Sequence, residues 1–131
     1  MRAAIYNGPS DITVVEVPDP IVTAPTDALV RVVLACVCGS DLWYWRGLSA
    51  HGHNGIGHEF IGIVEGVGSS VTSIREGDFV IAPFAYSDGT CPNCIAGVQT
   101  ACLAGGFFGD ADGLGGQAER VRVPQADGTL V

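Results

Sequence analysis

The apolar runs of this chain are all short, and turn residues close nearly every one of them. β-like patterning covers residues 3–6, 12–17, 28–35, 60–65, 79–82 and 118–123, with Asn7-Gly8-Pro9, Pro18-Asp19-Pro20, Glu76-Gly77-Asp78 and Ala126-Asp127-Gly128 as the breaks between strands. Nineteen glycines and seven prolines fit that reading. The single helical candidate is residues 40–46, where Ser40 and Asp41 suit a first turn and Gly47 stops the element. Residues 54–57 and 105–116 read as glycine-rich loops, and Gly66-Val67-Gly68-Ser69 as a turn, since no βαβ pattern follows it. The expectation is one mainly β domain over residues 1–131.

At 131 residues a real core is possible, because a chain of this size buries roughly two-thirds of its unfolded surface. Charged residues are only 15% and apolar ones 47%, which is oily enough to suggest a neighbour packed against the domain. No stretch approaches the ~20 apolar residues of a membrane span. The start has too short an apolar run for a secretory signal, so the cytoplasm is the expected compartment. Net charge is −8 and the six basic residues are scattered arginines, which argues against a nucleic-acid partner.

Five cysteines without an export signal point to metal or redox chemistry rather than a disulfide scaffold. Cys91-Pro92-Asn93-Cys94 and Cys102 have the spacing of a structural zinc site, and Asp88 completes a D-x2-C-x2-C-x7-C pattern as a fourth ligand. The lobe so defined covers about residues 85–105. The other reading of Asp88 is a turn residue in Ser87-Asp88-Gly89. Cys36 has no partner at useful spacing and is expected in the core. His51 and His53 read as solvated loop histidines or as residues at a substrate entrance, and Trp43 and Trp45 as packing residues or part of a pocket wall.

Cys38, just ahead of the helical candidate, joins His58 and Glu59 in a first constellation, with the lobe as the second. A helix start favours the thiolate that binds zinc. A thiolate, an imidazole and a carboxylate drawn from distant positions suit a catalytic zinc with an open coordination position. Glycines 55, 57 and 62 are read as allowing close backbone approach to the metal. Neighbours in a regular strand face opposite ways, so His58 and Glu59 share a metal only if the strand starts irregularly; otherwise Glu59 stands beside the site.

Cys38-Gly39-Ser40-Asp41, followed by Gly57-His58-Glu59-Phe60-Ile61-Gly62 with Gly68 and Val71, resembles the signature of zinc-dependent medium-chain alcohol dehydrogenases. The likeness runs from Arg2-Ala3-Ala4 to Val121-Arg122-Val123-Pro124. It implies a GroES-like β-barrel catalytic domain with short helices and a cysteine-rich zinc lobe. Cys38, His58 and Glu59 would serve the catalytic zinc, with Asp41 orienting His58 through its second ring nitrogen. Ser40 would carry the substrate proton. Where many relatives have a relay histidine, five positions after the zinc cysteine, this chain has Trp43; the family's lobe has four cysteines, where this chain has Asp88.

The resemblance further implies a hydride passed between a small alcohol, aldehyde or ketone and NAD(P), in an enzyme expected to be a homo-oligomer. A dinucleotide-binding domain is absent after Val131, so the chain reads as C-terminally truncated and inactive by itself. The rival readings are a zinc-stabilised interaction module without catalysis, and a co-chaperonin-like ring subunit, which would not need Cys38, His58 and Glu59.

Overall fold

The computed structural model describes residues 1–109 and 115–131. Part of the 105–116 loop expected from the sequence, residues 110–114, lies outside the described residues. The described residues form eight strands: β1 (Arg2–Gly8), β2 (Asp11–Glu16), β3 (Ala28–Ala35), β4 (Phe60–Val67), β5 (Phe79–Ala82), β6 (Ala85–Tyr86), β7 (Gly106–Phe107) and β8 (Arg120–Val123). The described residues also form three short helices, α1 (Asp41–Trp45), α2 (Pro92–Ile95) and, after β8, α3 (Ala126–Thr129), and a 3-10 turn at Gln99–Ala101. The mainly β expectation holds.

The central sheet has the order β5-β4-β3-β8, all antiparallel, with β1-β2 and β6-β7 as separate pairs. Alternation places one face of each strand inward. Val30, Val64, Val80, Val121 and Val123 are less than 2% or about 2% exposed and come from four neighbouring strands. Phe60 and Phe108 close this core with rings 5.2 Å apart, edge to face. Burying each such side chain stabilises the fold by roughly 1.5–3 kcal/mol.

The β1-β2 hairpin is tied to the rest by an isolated bridge from Ala3 to Ala118 and another from Ile5 to Gly55. It also holds α1, because the Ser10 N–H donates to the Trp45 carbonyl at 2.8 Å and the Tyr6 hydroxyl to the Tyr44 carbonyl at 3.1 Å. Gly47, at φ +69°, ends α1 in the left-handed region that favours glycine.

Three expectations are corrected. Cys36 is exposed, not in the core; it follows β3 where the strand leaves the core, next to Leu34 at 60% and Val37 at 69% exposure. The glycines at 57 and 62 make room for the chain itself: a Cβ on Gly57 would meet Gln117, and one on Gly62 the Arg31 carbonyl. Residues 40–46 are also not the only helical segment. Pro92 starts α2 at the position where its missing N–H costs nothing, and Ala126-Asp127-Gly128, read as a turn, is the body of α3.

Candidate functional site

The ends of two paired strands bring the first constellation together. Ala35 at the end of β3 faces Phe60 at the start of β4, and the Cys36 N–H continues the ladder to the Glu59 carbonyl at 3.0 Å. Cys38 and His58 therefore sit just past the same end of one strand pair. His58 and Glu59 precede β4 and are not part of its regular run, after Gly57 at φ +90°. The irregular start that a shared ligand pair would require is present.

Asp41 links the two segments. Its Oδ2 accepts the backbone N–H of Cys38 at 2.8 Å, and its Oδ1 lies 3.6 Å from His58 Nδ1. Asp41 is 4% and His58 5% exposed, and Oδ1 has no hydrogen-bond partner among the described residues. A carboxylate oxygen only accepts, so its field favours the tautomer with the ring proton on Nδ1 and the lone pair on Nε2. Ser40 Oγ stands 3.1 Å from that Nε2. The Ser40 hydroxyl, at the start of α1, makes no cap bond and lies against the histidine.

Phe84, which sequence reasoning missed, packs its ring against His58 at 4.3 Å and 69°. Its only signal is its place two residues beyond β5. Glu59 parts from His58: it lines a cavity of about 290 Å3 with Cys36, Leu34 and Phe84, whereas His58 lines a smaller one with Asp41. Among the described residues, Cys38, His58 and Glu59 do not converge as closely as the lobe donors do. Trp43 is 59% and Trp45 38% exposed, so neither is a core residue. His53 is exposed as expected, but His51 is half-buried between Tyr6 and Tyr44, at ring distances of 5.3 and 4.7 Å.

In the lobe, the donor atoms of Asp88, Cys91, Cys94 and Cys102 all lie within 4.8 Å of one another. The Sγ atoms of Cys91 and Cys102 are 3.9 Å apart. A tetrahedral zinc with Zn–S bonds of about 2.3 Å would set that edge at about 3.8 Å. Backbone N–H groups of Cys91 and Thr90 donate to Asp88 Oδ1 at 2.9 and 2.8 Å and hold its carboxyl well below the usual carboxylate range. The second oxygen makes no bond to the backbone of this turn.

Backbone donors from Leu103 and Cys94 pull the Cys91 thiol down. Burial, with Cys91, Cys102 and Asp88 crowding beside it, pushes the Cys94 thiol up to about 12. Each charge gained in such a cluster raises the cost of the next, and a cation at the centre removes that cost. The donor set therefore fits zinc.

The sheet, the Cys38–Asp41–His58 junction and the four-donor lobe define a GroES-like domain. Residues 24–131 match the alcohol dehydrogenase GroES-like domain, and the chain belongs to that family. It is 40% identical over its whole length to the zinc-type alcohol dehydrogenase B of Aspergillus flavus, of which it spans 31%. Among solved structures it superposes on the alcohol dehydrogenase TADH from Thermus sp. ATN1 with a TM-score of 0.92 and 40% identity, covering all of this chain and 39% of that one. A zinc-binding dehydrogenase from Sinorhizobium meliloti, solved bound to NADP, gives a TM-score of 0.79 at 32% identity, over 99% of this chain and 37% of that one. The chain thus spans about a third of the length of the relatives it matches. Among the described residues no helix is long and apolar enough to cross a membrane.

Proposed function

We propose that residues 1–131 form the catalytic domain of a zinc-dependent alcohol dehydrogenase, with the lobe at about 85–105 as a structural zinc site. The observation that carries this reading is the buried Asp41, which engages the Cys38 backbone with one oxygen and faces the His58 ring with the other. A carboxylate behind a histidine is the arrangement that fixes a metal-binding tautomer. Cys38 and His58 would hold the catalytic zinc; Glu59, turned toward a different cavity, stands beside it. Asp88, Cys91, Cys94 and Cys102 would hold the structural one.

When bound at the first site, zinc supplies Lewis-acid polarisation of the substrate oxygen. The chain's own residues do the rest. Asp41 keeps the His58 ring in one orientation. Ser40, beside Nε2, both accepts and donates, and so can take a hydroxyl proton from substrate. Phe84 keeps one side of the site apolar. NAD(P) would accept or donate the hydride on the part of the enzyme that the relatives have beyond the matched third. That part would also cover exposed Leu34, Val37, Phe79 and Ile81. The expected setting is a cytoplasmic homo-oligomer acting on a small alcohol or carbonyl compound.

The test is elemental analysis of the purified protein and two variants. Cys38→Ser and Cys91→Ser should each lower the zinc content, by up to one equivalent, and acid should release both ions because the ligands must lose protons to bind. Full zinc in both variants would overturn the reading. Zinc lost only from Cys91→Ser would favour the non-catalytic interaction module instead.

A further inference from the structure

Behind His58 lies a cavity of about 70 Å3, lined by Asp41, Tyr44, His51, His58 and Phe84 among others. Such a volume holds a water, which needs two or more polar partners to stay. The cavity offers them. Asp41 Oδ1 is buried and has no hydrogen-bond partner among the described residues, and at 3.6 Å it is beyond direct hydrogen-bond reach of His58 Nδ1. A buried carboxylate oxygen left in that condition is costly, and a bridging water is the ordinary remedy.

The lining of the same cavity supplies a second partner. His51 Nε2 lies 3.2 Å from the Gly55 carbonyl, an acceptor, so in the neutral ring Nε2 carries the proton and Nδ1 is an acceptor. Tyr6 and Tyr44 clamp the ring on two sides, so its orientation is set by packing. Among the described residues, His51 alone lines both this inner cavity and the open groove formed by Tyr6 to Pro9 and Gly47 to Ala50. It is a wall between the Asp41–His58 pair and bulk solvent.

We propose that His51 is a positioning residue for the Asp41–His58 pair: a water in the cavity donates one hydrogen to Asp41 Oδ1 and the other to His51 Nδ1. The water pins the carboxylate in the rotamer that faces the histidine, and the imidazole keeps the water from exchanging into the groove. No residue of the Cys38-Gly39-Ser40-Asp41 or Gly57-His58-Glu59 segments supplies this function; it comes from a loop histidine. The inference rests on the reading of Cys38 and His58 as metal ligands.

Two measurements on the zinc-loaded protein test it. Competition with a chelator reads the affinity of the ion that Cys38→Ser removes, and NMR reads the His58 Nδ1–H signal and its exchange with solvent. His51→Phe keeps the ring between the two tyrosines but removes the acceptor. It should weaken that zinc by about tenfold, within the range seen for partners of metal ligands, and speed exchange of the Nδ1 proton, with the lobe ion unaffected. His51→Gln, whose amide oxygen accepts, should recover most of both. Wild-type affinity and exchange in His51→Phe would overturn the proposal and leave His51 a plug. Equal losses in Phe and Gln would overturn it as well, since a packing defect would then suffice. If Cys38→Ser removes no zinc, the metal reading itself has failed, and the exchange of His58 Nδ1–H still decides the role of His51.

Discussion

The Asp41 carboxylate accepts the Cys38 backbone N–H at 2.8 Å, so the segment carrying the thiol and the residue facing the imidazole are one hydrogen-bonded unit. An Asp41→Asn variant keeps an oxygen for that N–H but offers His58 either a neutral oxygen or a competing donor. It should lower zinc affinity at the Cys38 site by about 10- to 100-fold, while Asp41→Ala, which loses both contacts, should also lower Tm. Chelator competition separates the two, and unchanged affinity in Asp41→Asn would show that the carboxylate serves only the backbone turn.

Asp88 has two separable roles in the lobe. Its Oδ1 collects the Thr90 and Cys91 N–H groups, and its donor atom lies among the three sulfurs. Asp88→Asn can keep the turn while removing the charge, and Asp88→Ala removes both. Lobe zinc should weaken in both variants, more in Ala, whereas Asp88→Cys should hold the ion at least as tightly as the wild type. Zinc affinity unchanged in Asp88→Ala would place the fourth ligand elsewhere.

The strand plan was legible because alternation and turn residues report it directly: β3 and β5 fall on the predicted residues, and β1, β2 and β4 differ by a few positions at their ends. The two-residue strands β6 and β7 carry too few side chains to show a period. The second constellation was legible from spacing alone, since Asp88, Cys91 and Cys94 are close along the chain and Cys102 returns after one short turn. His51 was not. Its environment is made by Tyr6, 45 positions earlier, and by the Gly55 bridge to β1, contacts with no local signature. Cys36 was misplaced because a cysteine after an apolar strand reads as buried, whereas the sheet end it occupies is uncovered.

Asp127 offers a pH test away from both clusters. It caps the segment after β4 from α3, accepting the Thr72 and Ser73 N–H groups and both hydroxyls at 2.7 to 3.1 Å. Desolvation opposes its ionisation, but the Ser73 and Thr72 bonds outweigh that and bring the carboxyl down to about 2. A lowered folded value means that the stabilisation is full above the ordinary carboxylate range and is lost as pH falls toward 2. The Tm of Asp127→Asn should therefore lie below that of the wild type at pH 6, with the gap closing as the pH approaches 2. Comparing the two proteins at each pH cancels acid effects on the zinc lobe. A gap that does not change with pH would show that the charge contributes nothing.

On the proposed dehydrogenase reading, a proton has to leave the substrate hydroxyl. Trp43 occupies the position where many relatives carry a relay histidine; its indole N–H donates but cannot accept, and the side chain is 59% exposed. Ser40 is the hydroxyl in place, 3.1 Å from His58 Nε2 and free of any helix-cap bond. His53 is exposed along the outer groove, while the His51 ring is committed to the Gly55 carbonyl and the inner cavity. From Ser40 the proton must then reach solvent through water or the cofactor. In the full-length enzyme, Ser40→Ala should lose about 10²- to 10⁴-fold in the rate of hydride transfer, the usual cost of deleting a positioned proton-transfer group. Ser40→Thr, which keeps the hydroxyl, should stay near wild type. His53→Gln should leave the pH profile of that step unchanged, and a shifted profile would instead route the proton through the loop. Zinc content and cofactor affinity are measured on each variant, so that a Ser40→Ala enzyme with both intact and a normal rate would remove Ser40 from the proton path.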